Sequence, residues 1–399
     1  MVSLMGKSQM YLCNCKNLNR MKKILIYLSV VAVMFCMLST TAFAQKKKTE
    51  NANLRVLYYN IQNGMWADQG NNFDNFVKWV SEKNPDICVW CEAETIYYPE
   101  TTKTIENKAE RILPKGWPEL AARYGHDYVW ISGHRDDYPQ VITSKYPIEN
   151  ILQSVGSEAD TLVYHGFGHA RVMVQDKAIN LVSLHLYPFS YIEKESPERV
   201  RIRLEREAAT AKYEAAVAAG ATEQVLSVLK ADMDKKTEAH RAIRSAERTA
   251  SSNAGHGNAY RAMEVKYIVE HTTAKSSNPA QEYWIMCGDF NSYSHLDNWH
   301  YKWGDAATNW NVTKYIEAEC PYYYDIVVEH FPGIFCRSTM GNSRIDFMYV
   351  SKALLKASTK VDPNTDWFTK QSYSDVNKHF KIPSDHRPII ADFNLAKMK

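Results

Sequence analysis

The residues best suited to chemistry are an acid and a histidine in a short polar turn near the C-terminus, in the sequence IPSDHRPIIADF. Asp385 and His386 stand between Pro383 and Pro388, whose rings restrict the backbone and predict a turn and not a helix. The apolar residues that follow predict a strand that enters a core. An acid beside a histidine on a stiff turn is a candidate catalytic pair. A polar turn that happens to contain a histidine is the alternative.

Other polar side chains interrupt or close apolar runs along the chain in the same way. They are Asn60, Glu92, His185, Asp289, Asn291 and Asp346. Several acids brought together would repel one another unless a cation lies among them. Carboxylate, amide and imidazole groups without cysteine suit magnesium or manganese, with calcium as a third option, whereas zinc usually prefers more nitrogen or sulfur. Each residue alone is more often structural, but the whole set favours a site.

The elements that must position these residues alternate between strands and helices. Apolar runs predict strands at 54–61, 87–92, 128–131, 140–144, 169–174, 178–186, 282–291 and 343–350. The run at 87–92 is almost entirely apolar, which indicates a strand covered on both faces. Helical spacing is present at 73–83 and 260–271. Strands with helices between them predict an α/β protein built on sheet packing.

A long segment between two of these strands has a different composition. Residues 193–252 are rich in Ala, Glu, Lys and Arg, and they predict two helices, 197–219 and 222–249, separated at Gly220. Apolar positions are sparse and form one narrow stripe. The stripe favours a solvated helical hairpin, and a lid or a docking surface for a partner is the alternative.

The N-terminus has the features of an export signal. Met21, Lys22 and Lys23 are followed by an apolar run, and small residues before Gln45 fit cleavage after Ala44. We therefore expect a signal peptide at 1–44, with Met21 as an alternative start, a flexible leader at 45–53, and an exported protein, periplasmic or secreted. An uncleaved membrane anchor is the less favoured alternative because the apolar run is short for a span. No integral span is expected after signal removal.

Charge and cysteine content limit the function classes. The first 44 residues hold five basic residues and no acid, so the rest has 43 basic and 45 acidic residues and a net charge of −2. A globally basic nucleic-acid-binding surface is therefore not indicated, although a local patch is compatible with this charge. Five cysteines remain after residue 44, an odd number that does not predict a disulfide framework. A single bridge between Cys320 and Cys336 stays open.

The motifs and their order resemble the endonuclease/exonuclease/phosphatase superfamily, with its deoxyribonuclease I-like fold, in a secreted bacterial-type member. They are the strand ending in Asn60, PDICVWCE with Glu92, LVSLHL with His185, CGDFNS with Asp289 and Asn291, SRIDFMYVS with Asp346, and SDHRP with Asp385 and His386. The resemblance covers about 54–190 and 258–395. It implies a four-layer α/β/β/α sandwich, two packed mixed β-sheets flanked by helices, in a single domain at 54–399 with a helical insertion at about 193–252.

The resemblance also implies roles for the polar residues. Glu92, helped by Asn60 and Asp385, would hold the cation. His386 would take a proton from the attacking water while Asp346 orients its ring. Asp289 would position that water or act as an alternative base. The phosphate would be contacted by Asn291, by His185, which is also a candidate acid for the leaving group, and by Arg171, for which a surface ion pair is the alternative.

These features predict a secreted, metal-dependent phosphoesterase, first of all a phosphodiesterase. A nuclease and a sugar- or inositol-phosphate phosphatase are alternatives within the enzyme class, and a non-catalytic binding or scaffold protein is the alternative outside it. Cys91, Ser183 and Leu184 depart from the family's usual residues, and the helical insertion is longer than usual. The substrate, whether a lipid headgroup, a sugar phosphate or nucleic acid, therefore stays undecided.

Overall fold

The fold is taken from a computed structural model, which describes residues 53–65, 68, 72–94, 115–134, 138–155, 162–339, 341–363 and 384–398. The predicted signal peptide and nearly all of the predicted leader lie outside the described residues. Leu54–Lys399 forms one compact unit. Among the described residues, no helix is both long enough and apolar enough to cross a membrane.

The described strands form one continuous, curled order, β11-β12-β1-β2-β4-β3-β5-β6-β7-β8-β10-β9. Their bounds are β1 Asn53–Asn60, β2 Ile87–Cys91, β3 Tyr128–His134, β4 Gln140–Ser144, β5 Ile148–Val155, β6 Phe167–Val174, β7 Lys177–His185, β8 Tyr283–Asp289, β9 Tyr323–Asp325, β10 Asp346–Ser351, β11 Ser358–Asp362 and β12 Ile389–Asn394. The pairs β1/β2 and β7/β8 are parallel, while most other pairs are antiparallel. Parallel pairs place the ends of their strands at the same edge.

Helices cover the outer faces of this sheet. Their bounds are α1 Asp74–Lys83, α2 Trp117–Arg123, α3 Pro197–Ala218, α4 Glu223–Asn253, α5 His256–His271, α6 Asn298–Tyr301, α7 Asn311–Glu319, α8 Ile326–His330 and α9 Lys352–Ala357. Together with the strands they make a mixed α/β fold, which confirms the predicted fold class.

Three apolar clusters show how the layers pack. The first lies between the two halves of the sheet and joins residues of β1 and β2, such as Tyr58 and Val89, to residues of β7 and β8, such as Leu181 and Cys287. The second packs the outer face of β1 and β2 against α1 and α2. The third packs the outer face of β7 and β8 against α5 and α7. The two predicted sheets are thus two halves of one sheet, and the halves are joined where β5 pairs with β3 and β6.

The predicted helical hairpin is present as α3 and α4. Ser196 begins α3 by accepting a hydrogen bond from the backbone of Arg199, and Pro197 fits the first turn. Gly220 separates the two helices with a φ of 67°, a conformation that costs glycine little. The base of the hairpin is held by Arg199, which is buried and paired with Glu193 and Glu247.

Two predicted elements differ in the structure. The residues around Ile148, predicted only as a turn out of β4, open the eight-residue strand β5. The strand predicted from Ser343 begins instead at Asp346. Arg344 lies before it and is buried between Asp297 and Asp325, with both nitrogen–oxygen distances 2.6 Å, because two carboxylates compensate its buried charge.

Candidate active site

Strand pairing carries the polar residues to one rim of the sheet. In the parallel pair β7/β8, His185 stands opposite Asp289, and in the antiparallel pair β8/β10, Asp289 stands opposite Asp346. In the parallel pair β1/β2, Asn60 stands opposite Cys91, the residue before Glu92. The turn that precedes β12 adds His386 to the same rim, where it forms an isolated bridge with Thr339.

His386 is oriented by a carboxylate that is itself held in place. Asp346 Oδ2 lies 2.8 Å from His386 Nδ1, and Asp346 Oδ1 accepts a hydrogen bond of 2.6 Å from the hydroxyl of Tyr58. All three side chains are buried. Because Asp346 accepts hydrogen bonds at both oxygens, Nδ1 of His386 carries a proton. Nε2 of the same ring faces the cleft. Burial lowers the pKa of His386, but the charges of Asp346 and Asp289 outweigh burial and raise that pKa to about 10.

Asp289 lies between two histidines. Its Oδ2 atom is 3.6 Å from Nε2 of His185 and 3.6 Å from Nε2 of His386. The same oxygen accepts a hydrogen bond of 3.2 Å from Asn60. Burial, followed by repulsion from Asp346, raises the pKa of Asp289 to about 8. The charged form of Asp289 is therefore costly in this site, and a bound cation would reduce that cost.

Glu92 is presented by a strained turn. It has a φ of 53°, and its Oε1 and Oε2 atoms accept hydrogen bonds of 3.1 Å from the Asn60 side chain and the Asn63 backbone. Residues 62–65 also have positive φ, which Asn63 and Gly64 tolerate best. Strain of this kind concentrates at functional sites. Burial raises the pKa of Glu92 against the opposing charge of His386.

The acidic rim fits a divalent cation. Atoms of Asp289, Asp346 and His386 lie within 4.8 Å of one another, as metal ligands do. Asp346 orients His386 and is not among the residues that line the cleft, whereas Glu92 and Asp385 do line it, so these two are better suited to bind the ion. Asp385, half-exposed and 3.8 Å from His386 Nε2, lies at the mouth of the same space. Asn60 directs its amide nitrogen, not its oxygen, towards Glu92 and Asp289. It could therefore bind the ion only with its side-chain amide flipped, so that the oxygen faces the site.

A third histidine of the cleft, His165, lies beside His185. The rings of His165 and His185 are 4.2 Å apart and inclined by 35°, and Tyr138 packs against both rings. Burial, together with the charges of His165 and His386, lowers the pKa of His185 well below 6.5. His185 is therefore neutral at physiological pH and offers one N–H donor.

The cleft between these groups has a volume of about 470 Å³. It is lined by Gln62, Asn63, Glu92, Tyr138, Tyr164, His165, His185, Pro188, Phe189, Asp289, Asn291, Asp385 and His386. Among the described residues that line it, none is lysine or arginine. The negative charge of a substrate would therefore be met by histidine, by amide groups and by a bound cation.

Two predicted phosphate contacts differ from expectation. Asn291 does line the cleft, but its amide donates to the carbonyl of Leu186 at 3.0 Å, and a φ of 46° turns the chain away there. Arg171 does not reach the cleft. It lines a separate groove, where it pairs with Glu149 at 3.4 Å, and this corrects its assignment to the phosphate. The start of β6, Phe167, pairs with Leu184 beside His185, and Arg171 is four positions further along the strand, away from the rim.

Several residues of the site were not selected from the sequence. Tyr58 shares a strand face with Asn60, and this spacing of two was the signal that could have found it. Ser384 Oγ donates to the Asn60 carbonyl at 2.7 Å and accepts from His386 N at 3.0 Å, which ties the turn to β1. His165 and Phe189 stand in irregular segments, where no periodic signal exists. The five cysteines described are unpaired, and Cys320 and Cys336 are not bridged.

A mixed α/β sheet with a rim of carboxylates and histidines suited to a metal ion defines a metal-dependent phosphoester hydrolase. Residues 57–386 match the model of the Endonuclease/Exonuclease/phosphatase family, and the chain belongs to that family. A search of curated proteins gives no match.

Solved structures of similar shape share little sequence with this chain. An AP endonuclease from Archaeoglobus fulgidus is 14% identical, with a TM-score of 0.47, over 86% of this chain and 99% of that one. The 3′ phosphatase NExo from Neisseria, bound to a product DNA hairpin, is 13% identical, with a TM-score of 0.44, over 85% and 99%. An endonuclease/exonuclease/phosphatase family protein from Leptotrichia buccalis is 14% identical, with a TM-score of 0.44, over 85% and 99%.

Proposed function

We propose that this chain is an exported phosphodiesterase that uses magnesium or manganese. The observation that carries the proposal is the arrangement of His386, with Asp346 at one ring nitrogen and the cleft at the other. This is the geometry of a general base whose ring is fixed by a carboxylate. A base directed into a cleft lined by acids suits the activation of water against a phosphate ester.

The roles follow from the atoms that face the cleft. His386 Nε2 accepts a proton from water as the water oxygen bonds to phosphorus, and Asp346 stabilises the imidazolium. Asp289, next to Nε2, aligns the water. His185, neutral and buried, donates its N–H to a phosphate oxygen or to the ester oxygen that leaves. One amide proton of Asn291 is donated to the carbonyl of Leu186, so Asn291 donates to the phosphate only through its other amide proton.

The cation has a separate task. Glu92 and Asp385 would hold the cation, together with Asn60 when its side-chain amide is flipped. When bound, it would supply a positive charge for the phosphate oxygens and neutralise the acids of the rim. A positive charge near His386 would also lower its pKa, so the ring would lose its proton more readily.

A diester fits this cleft better than a monoester. At neutral pH a phosphodiester carries one negative charge, whereas a monoester carries nearly two. The described residues lining the cleft include no lysine or arginine that would compensate the second charge. A cleft of about 470 Å³ also leaves room for two ester groups.

Hydrolysis of bis-p-nitrophenyl phosphate and p-nitrophenyl phosphate tests the proposal. Protein beginning at Gln45 is assayed with magnesium or manganese and again with chelator. We expect metal-dependent cleavage that favours the diester, and a loss of at least about 1000-fold in kcat/KM for His386→Ala. His271→Ala removes an exposed histidine and serves as the control. Preference for the monoester would favour a phosphatase instead, while calorimetric metal binding without turnover of either compound would favour a binding protein.

Export has its own test. The full chain is expressed in a bacterium with its own signal, and the periplasm and the medium are examined by mass spectrometry. A mature N-terminus at Gln45 is expected. An intact N-terminus in the cytoplasm would contradict the proposed export without affecting the proposed chemistry.

A further inference from the structure

A second cavity, of about 500 Å³, opens from the catalytic cleft. We call it the aromatic groove, and it is lined by Tyr164, Tyr187, Phe189, Tyr191, Ile192, Glu193, Arg244, Arg248 and Tyr260. Tyr164 and Phe189 line both cavities, so the groove continues the cleft. Their side chains are 41% and 44% exposed, and such exposure of two large rings at the mouth of a cleft suggests a binding surface.

The helical hairpin forms one wall of this groove. Arg244 and Arg248 come from α4, while the opposite wall is the segment after β7. The hairpin is therefore more than a solvated arm, because its base lies beside the catalytic cleft. Arg244 and Arg248 of the insertion contribute to the groove that adjoins the catalytic cleft.

The rings of the groove pack against one another. The centroid of Tyr187 lies 4.9 Å from that of Tyr164, 5.5 Å from that of Phe189 and 5.2 Å from that of Tyr260. Phe189 and Tyr191 are nearly parallel, inclined by 25° at 5.5 Å. Rings at such distances and angles support one another. Tyr187 meets the other three rings edge to face and is itself buried, so Tyr164 and Phe189 are the rings of this cluster that are most exposed to a ligand.

The far end of the groove is polar. Glu193 accepts hydrogen bonds from Arg244 and Arg248, and the Arg248 guanidinium lies 4.5 Å from the centroid of Tyr191. This end of the groove therefore carries one carboxylate and two guanidinium groups. A ligand with several hydroxyl groups matches such a rim, because each hydroxyl both donates and accepts.

The groove is preformed by contacts beneath it. The buried Arg261 of α5 donates to the carbonyls of Tyr187 and Phe189, both at 2.8 Å. A Cβ atom at Gly257 would lie 2.3 Å from the Phe189 carbonyl oxygen, so only glycine allows α5 to approach this closely. A backbone held in this way loses little entropy when a ligand binds.

We infer that the aromatic groove binds a sugar ring esterified to the phosphate in the catalytic cleft. The C–H face of the ring lies on Tyr164 and Phe189, and its hydroxyl groups face Glu193, Arg244 and Arg248. A sugar suits the groove because an apolar face and a polar edge occur in the same ring. The inference rests on the proposed phosphoester chemistry, since the groove begins where the phosphate is placed.

Calorimetric binding tests the groove without requiring turnover. Methyl glucoside 6-phosphate is compared with methyl phosphate in the presence of calcium, with protein that begins at Gln45. We expect the glucoside phosphate to bind at least about tenfold tighter, which corresponds to about 1.4 kcal/mol. Phe189→Leu keeps an apolar side chain without a ring and should remove most of this preference, while Phe189→Tyr should retain it. Val228→Ala, at an exposed position of α4, is the control on the hairpin.

The outcomes separate the groove from the catalytic proposal. Equal affinity for the two phosphates, or a preference that Phe189→Leu leaves intact, would overturn the sugar site. Tighter binding of thymidine 5′-phosphate than of the glucoside phosphate, with the difference lost in Phe189→Leu, would replace the sugar by a nucleobase as occupant and also overturn it. Ring-dependent glucoside binding together with no hydrolysis of bis-p-nitrophenyl phosphate would support the groove and contradict the phosphodiesterase.

Discussion

His386 and His185 differ in pKa because their neighbours differ. The carboxylates Asp346 and Asp289 raise the pKa of His386 to about 10, while burial and the nearby histidines lower that of His185. Groups whose pKa values are pushed apart can divide the roles of base and donor. His386 is held by a carboxylate at its inner nitrogen, and His185 presents a neutral donor on the other side of Asp289.

The first prediction concerns the residue that orients His386. Asp346→Asn keeps the size of the side chain but replaces a carboxylate that accepts from both Tyr58 and His386. We expect kcat to fall by about 100-fold or more with little change in KM, because the ring loses its tautomer and its stabilising charge. Steady-state kinetics on bis-p-nitrophenyl phosphate measure kcat and KM separately. A rise in KM at unchanged kcat would exclude the orienting role.

The second prediction concerns Tyr58, which acts through Asp346. Tyr58→Phe removes one hydrogen bond to a buried carboxylate, which costs about 1.5–3 kcal/mol. We expect a lower melting temperature and a smaller loss of kcat than for Asp346→Asn. In the double variant the two losses in kcat should not add, because both substitutions disturb one carboxylate. Additive losses would show that Tyr58 acts independently.

At the scale of elements, close contact between β7 and β8 brings His185 to Asp289. A Cβ atom at Gly288 would lie 2.0 Å from the carbonyl oxygen of Leu184 on the neighbouring strand. A backbone carbonyl cannot move aside as a flexible side chain can, so the pairing of β7 with β8 depends on Gly288. The spacing of β7 and β8 at Gly288 therefore affects the positions of His185 and Asp289.

The third prediction tests that coupling. Gly288→Ala should destabilise the fold by about 3 kcal/mol and reduce activity, because β7 and β8 must separate. Gly304→Ala is the matched control, since nothing lies within 4 Å of the added Cβ atom. Thermal unfolding and kcat/KM are measured for both. Unchanged stability in Gly288→Ala would mean that the strands tolerate a wider spacing.

The fourth prediction concerns the base of the hairpin. Hydrogen bonds from Arg244, with those from Arg248 and Arg199, hold the pKa of Glu193 below its usual range. A depressed carboxyl pKa stabilises the folded state above the unfolded pKa, about 4.3, and this stability is lost as pH falls towards the folded pKa. Glu193→Gln should therefore lower stability by about 1 kcal/mol at neutral pH, with exposure and salt limiting the effect. In melting curves taken at a series of pH values, the difference from wild type should shrink below about pH 4. A constant difference would contradict the ion-pair origin.

At the scale of the whole molecule, folding concentrates acids at one rim. Glu92, Asp289 and Asp346 come from separate parts of the chain, and their repulsion is only partly offset by His386. Proteins accept such destabilised sites where function requires them. A cation that binds the folded state should therefore stabilise the whole fold.

The fifth prediction follows from this linkage. Magnesium at about 100 times its dissociation constant should stabilise the folded state by about 2.7 kcal/mol, and chelator should remove the effect. Glu92→Gln should weaken the metal-induced rise in melting temperature, whereas Glu329→Gln, at an exposed position, should leave it intact. Scanning calorimetry with and without metal measures both. An unchanged rise in Glu92→Gln would place the metal elsewhere.

The sequence by itself determined the α/β class, most strand positions and the polar residues that end them. Apolar periodicity and chain breaks are local, and strands such as the one ending at Asp289 could be located from them. The hairpin could also be predicted from the sequence, since its composition and Gly220 mark its two helices. The strand β5 was missed because its outward residues break the apolar pattern.

Only the tertiary structure decided which polar residues meet. The hydrogen bond between Tyr58 and Asp346 joins positions 288 residues apart, and its existence depends on how two halves of a sheet pack. The same packing left Arg171 outside the cleft and placed the hairpin beside Phe189. Sequence periodicity fixes the face of a strand on which a side chain lies, but distances between strand ends arise from register and packing across the sandwich.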